Sequence, residues 1–150
     1  MIKKIRYQKI LVPIDGSSKS IKAFEYALQF ASNYSGSEIN LLHIIDKENI
    51  NQVRSYGKES YGELATRYRK QGEGYINKAL QSAKEMNFNL SRIHKKIKEG
   101  NPVEEIVEYS KDFDLIIMAA RGKKHVIHIM MGHVTERVLN LTKTPILVIP

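Results

Sequence analysis

The sequence predicts an α/β fold: a single-domain, open sheet of five parallel strands with helices on both faces. Short apolar runs typical of buried strands alternate from end to end with segments of three- and four-residue apolar spacing, which is typical of amphipathic helices. The chain has 150 residues, the usual size of one domain, and shows no internal repeat or linker. We therefore expect residues 1–150 to form one domain with right-handed crossovers.

The first half of the chain contains two predicted strands and two predicted helices. Residues 10–14 and 39–45 are apolar runs, and the turn residues 15–18 follow the first of them. Between the runs, one apolar face is formed by Ile21, Phe24, Ala27, Leu28 and Ala31. Residues 47–58 have no apolar pattern, so we predict a long loop there, followed by a mixed-charge helix over about 59–86.

The second half contains three predicted strands and two predicted helices. Residues 90–97 are predicted to form an edge strand with Ile93 and Ile97 inward. Asn101 and Pro102 then mark a helix start, with Glu104 at the position of a capping-box acid. Residues 114–120 form a central buried strand. A helix with Val134, Val138 and Leu141 inward and a strand over 144–149 complete the prediction.

The composition excludes several classes of protein. With 42% hydrophobic and 27% charged residues the chain is globular, and with Cys 0 it has no disulfides, thiolate metal sites or cysteine nucleophiles. No apolar run approaches the ~18 residues of a membrane helix, and we do not expect the N-terminus to be a signal peptide. We expect a cytoplasmic protein without a membrane partner.

The net charge of +8 permits attraction to phosphate-bearing partners. The cations are scattered, however, and no zinc-finger, homeodomain or RNA-recognition signature accompanies them. We therefore interpret the charge as a solvated basic surface and do not expect nucleic acid to be the partner.

The predicted site lies beyond the carboxyl ends of the strands, where ligands bind to open parallel sheets. Residues 15–17, 44–46 and 120–133 should converge there. Gly122 and Gly132 bracket the third segment, which carries the cations Arg121, Lys123 and Lys124. Gly132 precedes a helix whose free N–H groups could receive a phosphate, and glycine leaves backbone donors open to an anion.

Three stretches of the chain resemble the universal stress protein (UspA-like) family. They are the opening ILVPIDGSSKS, the second strand INLLHIID, and the closing segment that runs from DLIIMAARGKK to TPILVIP. The resemblance covers essentially the whole chain. It implies a Rossmann-like sheet in the order 3-2-1-4-5, an adenine nucleotide such as ATP or AMP as ligand, and a homodimer built through the last strand.

The resemblance also implies a set of ligand-binding residues. The residue at Asp15 lies against the adenine and ribose, and that at Ile44 contacts adenine through its backbone. The nucleotide-binding branch of the family has a glycine, two residues, a glycine, nine residues, then a glycine and a hydroxyl residue. Here those four positions carry Ala119, Gly122, Gly132 and His133. The full implied set is Pro13, Asp15, Ile44, Met118, Ala119, Arg121, Gly122, Gly132, His133, Val134 and Thr135.

Two departures from the family pattern leave alternatives open. Ala119 is harmless if its φ is negative and costly if its φ must be positive. His133 could donate to a phosphate or could obstruct it. The first hypothesis is a stress-response protein that binds an adenine nucleotide and signals through conformation or partner contact. The second is a nucleotide-free dimeric interaction module in which His133 fills the phosphate space.

Enzymatic and metal chemistry have weaker support. Only Asp15 and Asp46 could hold Mg²⁺ near a nucleotide, so we expect slow or absent ATP hydrolysis and leave the need for Mg²⁺ open. His125, His128 and His133 with Glu136 could be read as a metal site, although nothing guarantees that they face one point. Asp15 could be only a turn former. We expect His43 to be satisfied by backbone and assign it no chemistry.

Overall fold

A computed structural model describes residues 1–122 and 131–150 and forms a five-stranded parallel sheet in the order β3-β2-β1-β4-β5. The strands are β1 (Lys9–Pro13), β2 (Glu38–Asp46), β3 (Ile93–Gly100), β4 (Leu115–Ala119) and β5 (Ile146–Ile149). The helices are α1 (Ser18–Ser32), α2 (Lys47–Tyr56), α3 (Tyr61–Glu85), α4 (Pro102–Ser110) and α5 (His133–Leu141). The predicted fold class and strand order are therefore confirmed.

Helices cover both faces of the sheet. Phe24 of α1 and Ile76 of α3 pack with Ile10, Val12 and Ile117 on one face. On the other face, Val103 and Ile106 of α4 and Val138 of α5 pack with Leu11 and Ile116. Since β1 and β4 are buried from both sides, they read as continuous apolar runs in the sequence.

The segment after β2 differs from its prediction. Residues 47–58 were predicted to be a loop, but most of them form α2. The Asp46 carboxylate caps this helix by accepting from the amides of Glu48 and Asn49, at 3.0 and 3.4 Å. Ile50 is fully buried against Ile45 and Leu64. One apolar anchor and one cap stabilise a helix that has no repeating apolar stripe.

Two further predictions need correction. The third strand begins at Ile93, not at residue 90, because Leu90–Arg92 forms a 3₁₀ turn whose Asn89 side chain accepts from the amide of Ser91 at 3.0 Å. Leu141 was predicted to face inward, but it ends α5 with 54% of its surface exposed, and Thr135 and Val138 are the buried residues of that helix.

Local capping was predicted more closely at α4. The Asn101 side chain accepts from the amide of Glu104 at 3.1 Å, and Pro102 is the first helical residue. A different contact holds the end of α1, where the Arg92 guanidinium donates to the carbonyls of Ala31, Tyr34 and Ser37 at 2.8–3.2 Å. Within the described ranges, no helix combines the length and the apolar character needed to cross a bilayer.

Candidate functional site

A cavity of about 570 Å³ lies at the carboxyl ends of β1, β2 and β4. In the sheet, β1 lies between β2 and β4. The chain continues from β1 to β2 and β3 on one side and then crosses to β4 and β5 on the other, so the cavity lies where the winding of the sheet reverses. All eleven residues of the predicted set line it: Pro13, Asp15, Ile44, Met118, Ala119, Arg121, Gly122, Gly132, His133, Val134 and Thr135. The fold therefore brings together residues that are more than a hundred positions apart in the sequence.

The turn after β1 places Asp15 in the cavity wall. The Asp15 carboxylate accepts from the amide of Ser17 at 2.9 Å, and Gly16 has a φ of 82°. Ser17 then caps α1 by accepting from the amide of Ser20 at 3.1 Å. Asp15 is thus a turn former, which was the alternative to a ligand-binding role, but the same turn also places Asp15 in the lining of the cavity.

The segment after β4 closes onto this turn at Gly122. A Cβ atom built on Gly122 would overlap the Asp15 carboxylate oxygen Oδ2. A side chain at position 122 would therefore displace the Asp15 carboxylate. The contact with Asp15 therefore explains why position 122 carries a glycine.

Gly132 stands immediately before α5, as the sequence predicts. Its own amide donates to the carbonyl of Ala120 at 2.6 Å. A Cβ at Gly132 would have ordinary contacts of 3.4 Å with Ala120 and Arg121. The donors that α5 offers are instead the amides of its first turn, those of His133, Val134 and Thr135, because an α-helix gives its first-turn amides no acceptor of its own.

Ala119 and Thr135 join the end of β4 to the start of α5. The Thr135 hydroxyl donates to the Ala119 carbonyl at 2.8 Å. Among the described non-glycine residues only Asn87 has a positive φ. The backbone at Ala119 therefore does not adopt a conformation that requires glycine. The first departure from the family pattern is therefore free of backbone strain.

Arg121 and Arg137, two cations, line the cavity together with His133 near the start of α5. His133 is an exposed residue of the cavity rim, so its described position does not fill the hollow. Arg137 lies one helical turn further along α5 and was missed by the sequence analysis. Its spacing of four from His133 on a predicted helix was the signal that could have found it.

The opposite wall comes from α2 and α3 and was also missed. Tyr68, Gln71 and Tyr75 line the cavity from α3, and Gln52 does so from α2. A Cβ on Gly16 would overlap the Tyr75 ring, so this ring lies directly on the Asp15 turn. The helical spacing of the three α3 residues was visible in the sequence, but it gave no reason to place α3 beside this turn.

His43 is held between the sheet and α3. Its Nδ1 lies 2.8 Å from the carbonyl oxygen of Ile14, and its ring meets Tyr75 edge-on at 5.3 Å. The prediction that a backbone group satisfies His43 is confirmed.

Away from the cavity, the hydrogen bond and charge of Glu59 raise the pKa of the exposed Arg67 guanidinium.

The metal hypothesis gains no support from the described residues. Residues 1–122 and 131–150 contain no group of three side chains that could hold a metal ion. His125 and His128, like the cations Lys123 and Lys124, lie outside the described residues. Of the four proposed ligands, the structure describes only His133 and Glu136, both exposed at the start of α5.

Comparison with known proteins identifies the family. The model of the universal stress protein family matches residues 6–150. This chain belongs to the universal stress protein family. Universal stress protein MJ0531 of Methanocaldococcus jannaschii is 30% identical over 95% of this chain and 82% of its own length.

Solved structures agree with the fold of this family member. That of MJ0577, from the same organism, superposes with a TM-score of 0.78 at 31% identity and covers 97% of this chain and 96% of its own. Two more distant relatives share the fold. A universal stress protein in complex with cAMP has a TM-score of 0.67 at 23% identity, covering 96% of this chain and 97% of its own. A universal stress protein from Archaeoglobus fulgidus in complex with dAMP has a TM-score of 0.68 at 14% identity, covering 98% of this chain and 100% of its own.

Proposed function

We propose that this protein binds an adenine nucleotide, ATP or AMP, in the cavity at the carboxyl ends of β1, β2 and β4. The observation that carries the proposal is the convergence of the whole predicted residue set on that one cavity. Its volume of about 570 Å³ falls in the range of cavities that bind small ligands. The complexes of two family members with cAMP and dAMP support an adenine nucleotide as the class of ligand.

The distribution of charge supports one orientation of the nucleotide. Arg121, His133 and Arg137 share the end of the cavity at which α5 begins, and helix amides favour an anion there. The phosphates occupy this end in our proposal. Asp15 then accepts from a ribose hydroxyl, since a carboxylate is a poor neighbour for phosphates, and Ile44 contacts the adenine through its backbone.

In our proposal the nucleotide is a signal, and the protein acts in the stress response through ligand- or partner-dependent contacts. Fast phosphoryl transfer needs a metal-bound carboxylate and a group that orients water. Asp15 is engaged by the amide of Ser17, and Asp46 by the amides that begin α2. We therefore propose that ATP hydrolysis is slow at most, and that Mg²⁺ binds through the phosphates if it binds at all.

Isothermal titration calorimetry with ATP, AMP and cAMP tests the proposal. Asp15→Ala should weaken binding of the preferred nucleotide at least tenfold, which is about 1.4 kcal/mol. Asp112→Ala is the matched control, because Asp112 is exposed at the end of α4 and does not line the cavity. Equal affinity of the two variants would remove Asp15 from the site, and no heat with any nucleotide would remove the proposed function.

The nucleotide-free alternative makes the opposite prediction for His133. If the imidazole filled the phosphate space, His133→Ser would create or strengthen binding of ATP. The exposure of His133 favours the nucleotide-binding proposal, in which the same substitution leaves affinity unchanged or lowers it. The direction of this change separates the two.

We also propose a cytoplasmic homodimer that pairs through β5. This strand ends the sheet beside β4, and its residues Ile146, Leu147, Val148 and Ile149 are all apolar and only partly buried. An apolar edge strand pairs readily with the same strand of a twofold-related copy, and this pairing covers the β5 edge of each copy.

A further inference from the structure

The opposite edge of the sheet has a different chemical character. β3 pairs only with β2 among the described strands, and that ladder runs through eight residues from Ile93 to Gly100. Its outer side therefore carries a row of backbone donors and acceptors that the described sheet does not use. Neither a proline nor an apolar run marks this edge. It carries His94, Lys95, Lys96 and Lys98 instead.

A groove of about 360 Å³ runs between this edge and α3. Ile76 and Ile97 form its apolar floor, and its polar lining includes Arg69, Lys95 and Lys96 with one carboxylate, Glu73. The three cations are exposed, whereas Ile76 is buried. The groove thus offers an apolar seat next to an excess of positive charge.

The basic residues of this edge and the adjoining helix fall into two groups. His94 lies 3.2 Å from the carboxylate of Glu38, and Lys98 lies 2.8 Å from that of Glu105. Within residues 1–122 and 131–150, no ion pair involves Arg69, Lys95 or Lys96. Lys95 and Lys96 at the middle of the edge, and Arg69 on the adjoining helix, are therefore left without a paired carboxylate among the described residues.

We propose that the β3 edge and this groove bind an extended acidic segment of another protein, which adds to the sheet as a sixth strand. Backbone hydrogen bonds to the edge would supply affinity, and side chains would supply specificity. Lys95 projects to the face of the sheet that carries Ile97 and α3, whereas Lys96 borders the groove at the edge of the sheet and projects to the opposite face. Two consecutive acidic residues in the partner strand, which also point to opposite faces, match them. The floor of Ile76 and Ile97 receives an apolar side chain beside this acidic pair.

Charge selects this partner over a second copy of the same edge. Two β3 strands paired about a twofold axis would bring Lys95 and Lys96 against their counterparts, and like charges opposite each other destabilise a strand pair. A hetero-partner of opposite charge has no such penalty. This surface is independent of the nucleotide cavity, whose lining it does not share.

A peptide titration tests the proposal on the full chain. The probe is a fluorescein-labelled peptide, Ser-Val-Thr-Val-Glu-Asp-Val-Thr-Val-Ser, and its neutral counterpart has Gln-Asn in place of Glu-Asp. We expect the acidic peptide to bind at least tenfold more tightly by fluorescence anisotropy. Bound at saturation, it should slow hydrogen exchange at least tenfold for the outward amides of residues 93–100.

Matched charge reversals locate the surface. Lys95→Glu with Lys96→Glu should weaken the acidic peptide at least tenfold. Lys22→Glu with Lys58→Glu makes the same change in net charge at exposed positions outside the groove and should change affinity less than twofold. Circular dichroism confirms that both variants fold.

Four results would overturn the proposal: equal binding of the two peptides, unchanged exchange in β3 at saturation, equal losses in the two double variants, or no binding at millimolar peptide. A single-stranded oligonucleotide that displaces the peptide while β3 exchange stays unprotected would overturn strand addition too, because it would assign the cations to nonspecific attraction of polyanions.

Discussion

At the scale of single residues, glycine positions carry most of the information about close approach. Gly72 and Gly74 both lie in α3 and look equivalent in the sequence, where both weaken a predicted helix. A Cβ on Gly72 would lie 2.5 Å from Cδ2 of His43, whereas a Cβ on Gly74 would meet nothing within 4 Å. Gly72 is therefore required for α3 to pack on the sheet, and Gly74 is not.

This difference gives a paired prediction for stability. Gly72→Ala should lower the free energy of unfolding by about 1–2 kcal/mol, since forcing a carbon into a packed contact costs more than the helix gains. Gly74→Ala should raise it by about 0.5–1 kcal/mol, because alanine forms helix more readily than glycine. Urea denaturation measures both. Stabilisation by both substitutions would contradict the contact between Gly72 and His43.

A second residue-scale prediction concerns the cavity. Gly122→Ala places a methyl group where the Asp15 carboxylate lies, so the carboxylate must turn away. We expect the affinity for the preferred adenine nucleotide to fall at least fivefold in calorimetric titration. Gly74→Ala serves as the control for a glycine-to-alanine change outside the cavity. Wild-type affinity in Gly122→Ala would show that the position of Asp15 does not matter for binding.

Sequence reasoning succeeded at residues whose chemistry is local. Asn101 caps α4 because a short amide side chain reaches the next amides of its own chain. It did not foresee the hydrogen bond from the Gly132 amide to the carbonyl of Ala120, twelve positions away. It also missed Arg137 and Tyr75 as cavity residues. Both depend on how helices dock, which a residue's neighbours in the sequence do not encode.

At the scale of elements, α2 shows what periodicity cannot detect. Its ten residues are polar apart from Ile50 and Val53, so no amphipathic stripe is visible. The helix depends on the cap at Asp46 and on the burial of Ile50 against the start of α3. Both are features of the folded chain, because Leu64 of α3 and Ile45 of β2 complete the cluster. The strands and the other helices were predictable because their apolar patterns repeat.

The role of Ile50 can be measured directly. Ile50→Ala should lower the free energy of unfolding by about 2–4 kcal/mol, as expected for a fully buried aliphatic side chain. Asn51→Ala, at the next and exposed position, should change it by less than about 0.5 kcal/mol. Similar small effects in urea denaturation would mean that α2 does not pack as a helix on α3.

At the scale of the whole molecule, the two sheet edges have opposite characters. The β5 edge is apolar and the β3 edge is cationic, so we propose self-association at one and hetero-association at the other. The alternation of strands and helices predicted the sheet itself, and the family resemblance supplied its order. Neither showed which basic residues of the β3 edge have a carboxylate partner, because the partners of His94 and Lys98 lie in other elements, β2 and α4.

Dimerisation through β5 gives a prediction for oligomeric state. Val148→Asp places a charge on the apolar edge and should yield monomers in sedimentation velocity experiments. Leu90→Asp introduces the same charge at an exposed apolar position far along the chain from β5 and should leave the dimer intact. A dimer that persists in Val148→Asp would place the interface elsewhere.

In the proposed complex, an adenine nucleotide binds with its phosphates at the first turn of α5 and its sugar at the Asp15 turn. Backbone amide shifts in a ¹⁵N NMR titration with ATP test it most directly. We expect the largest shifts at the amides of the two turns, those of Gly16, Ser17, His133, Val134 and Thr135. Amides of the β3 edge, residues 93–100, should stay unchanged. Largest shifts away from both turns, or none at millimolar ATP, would contradict it.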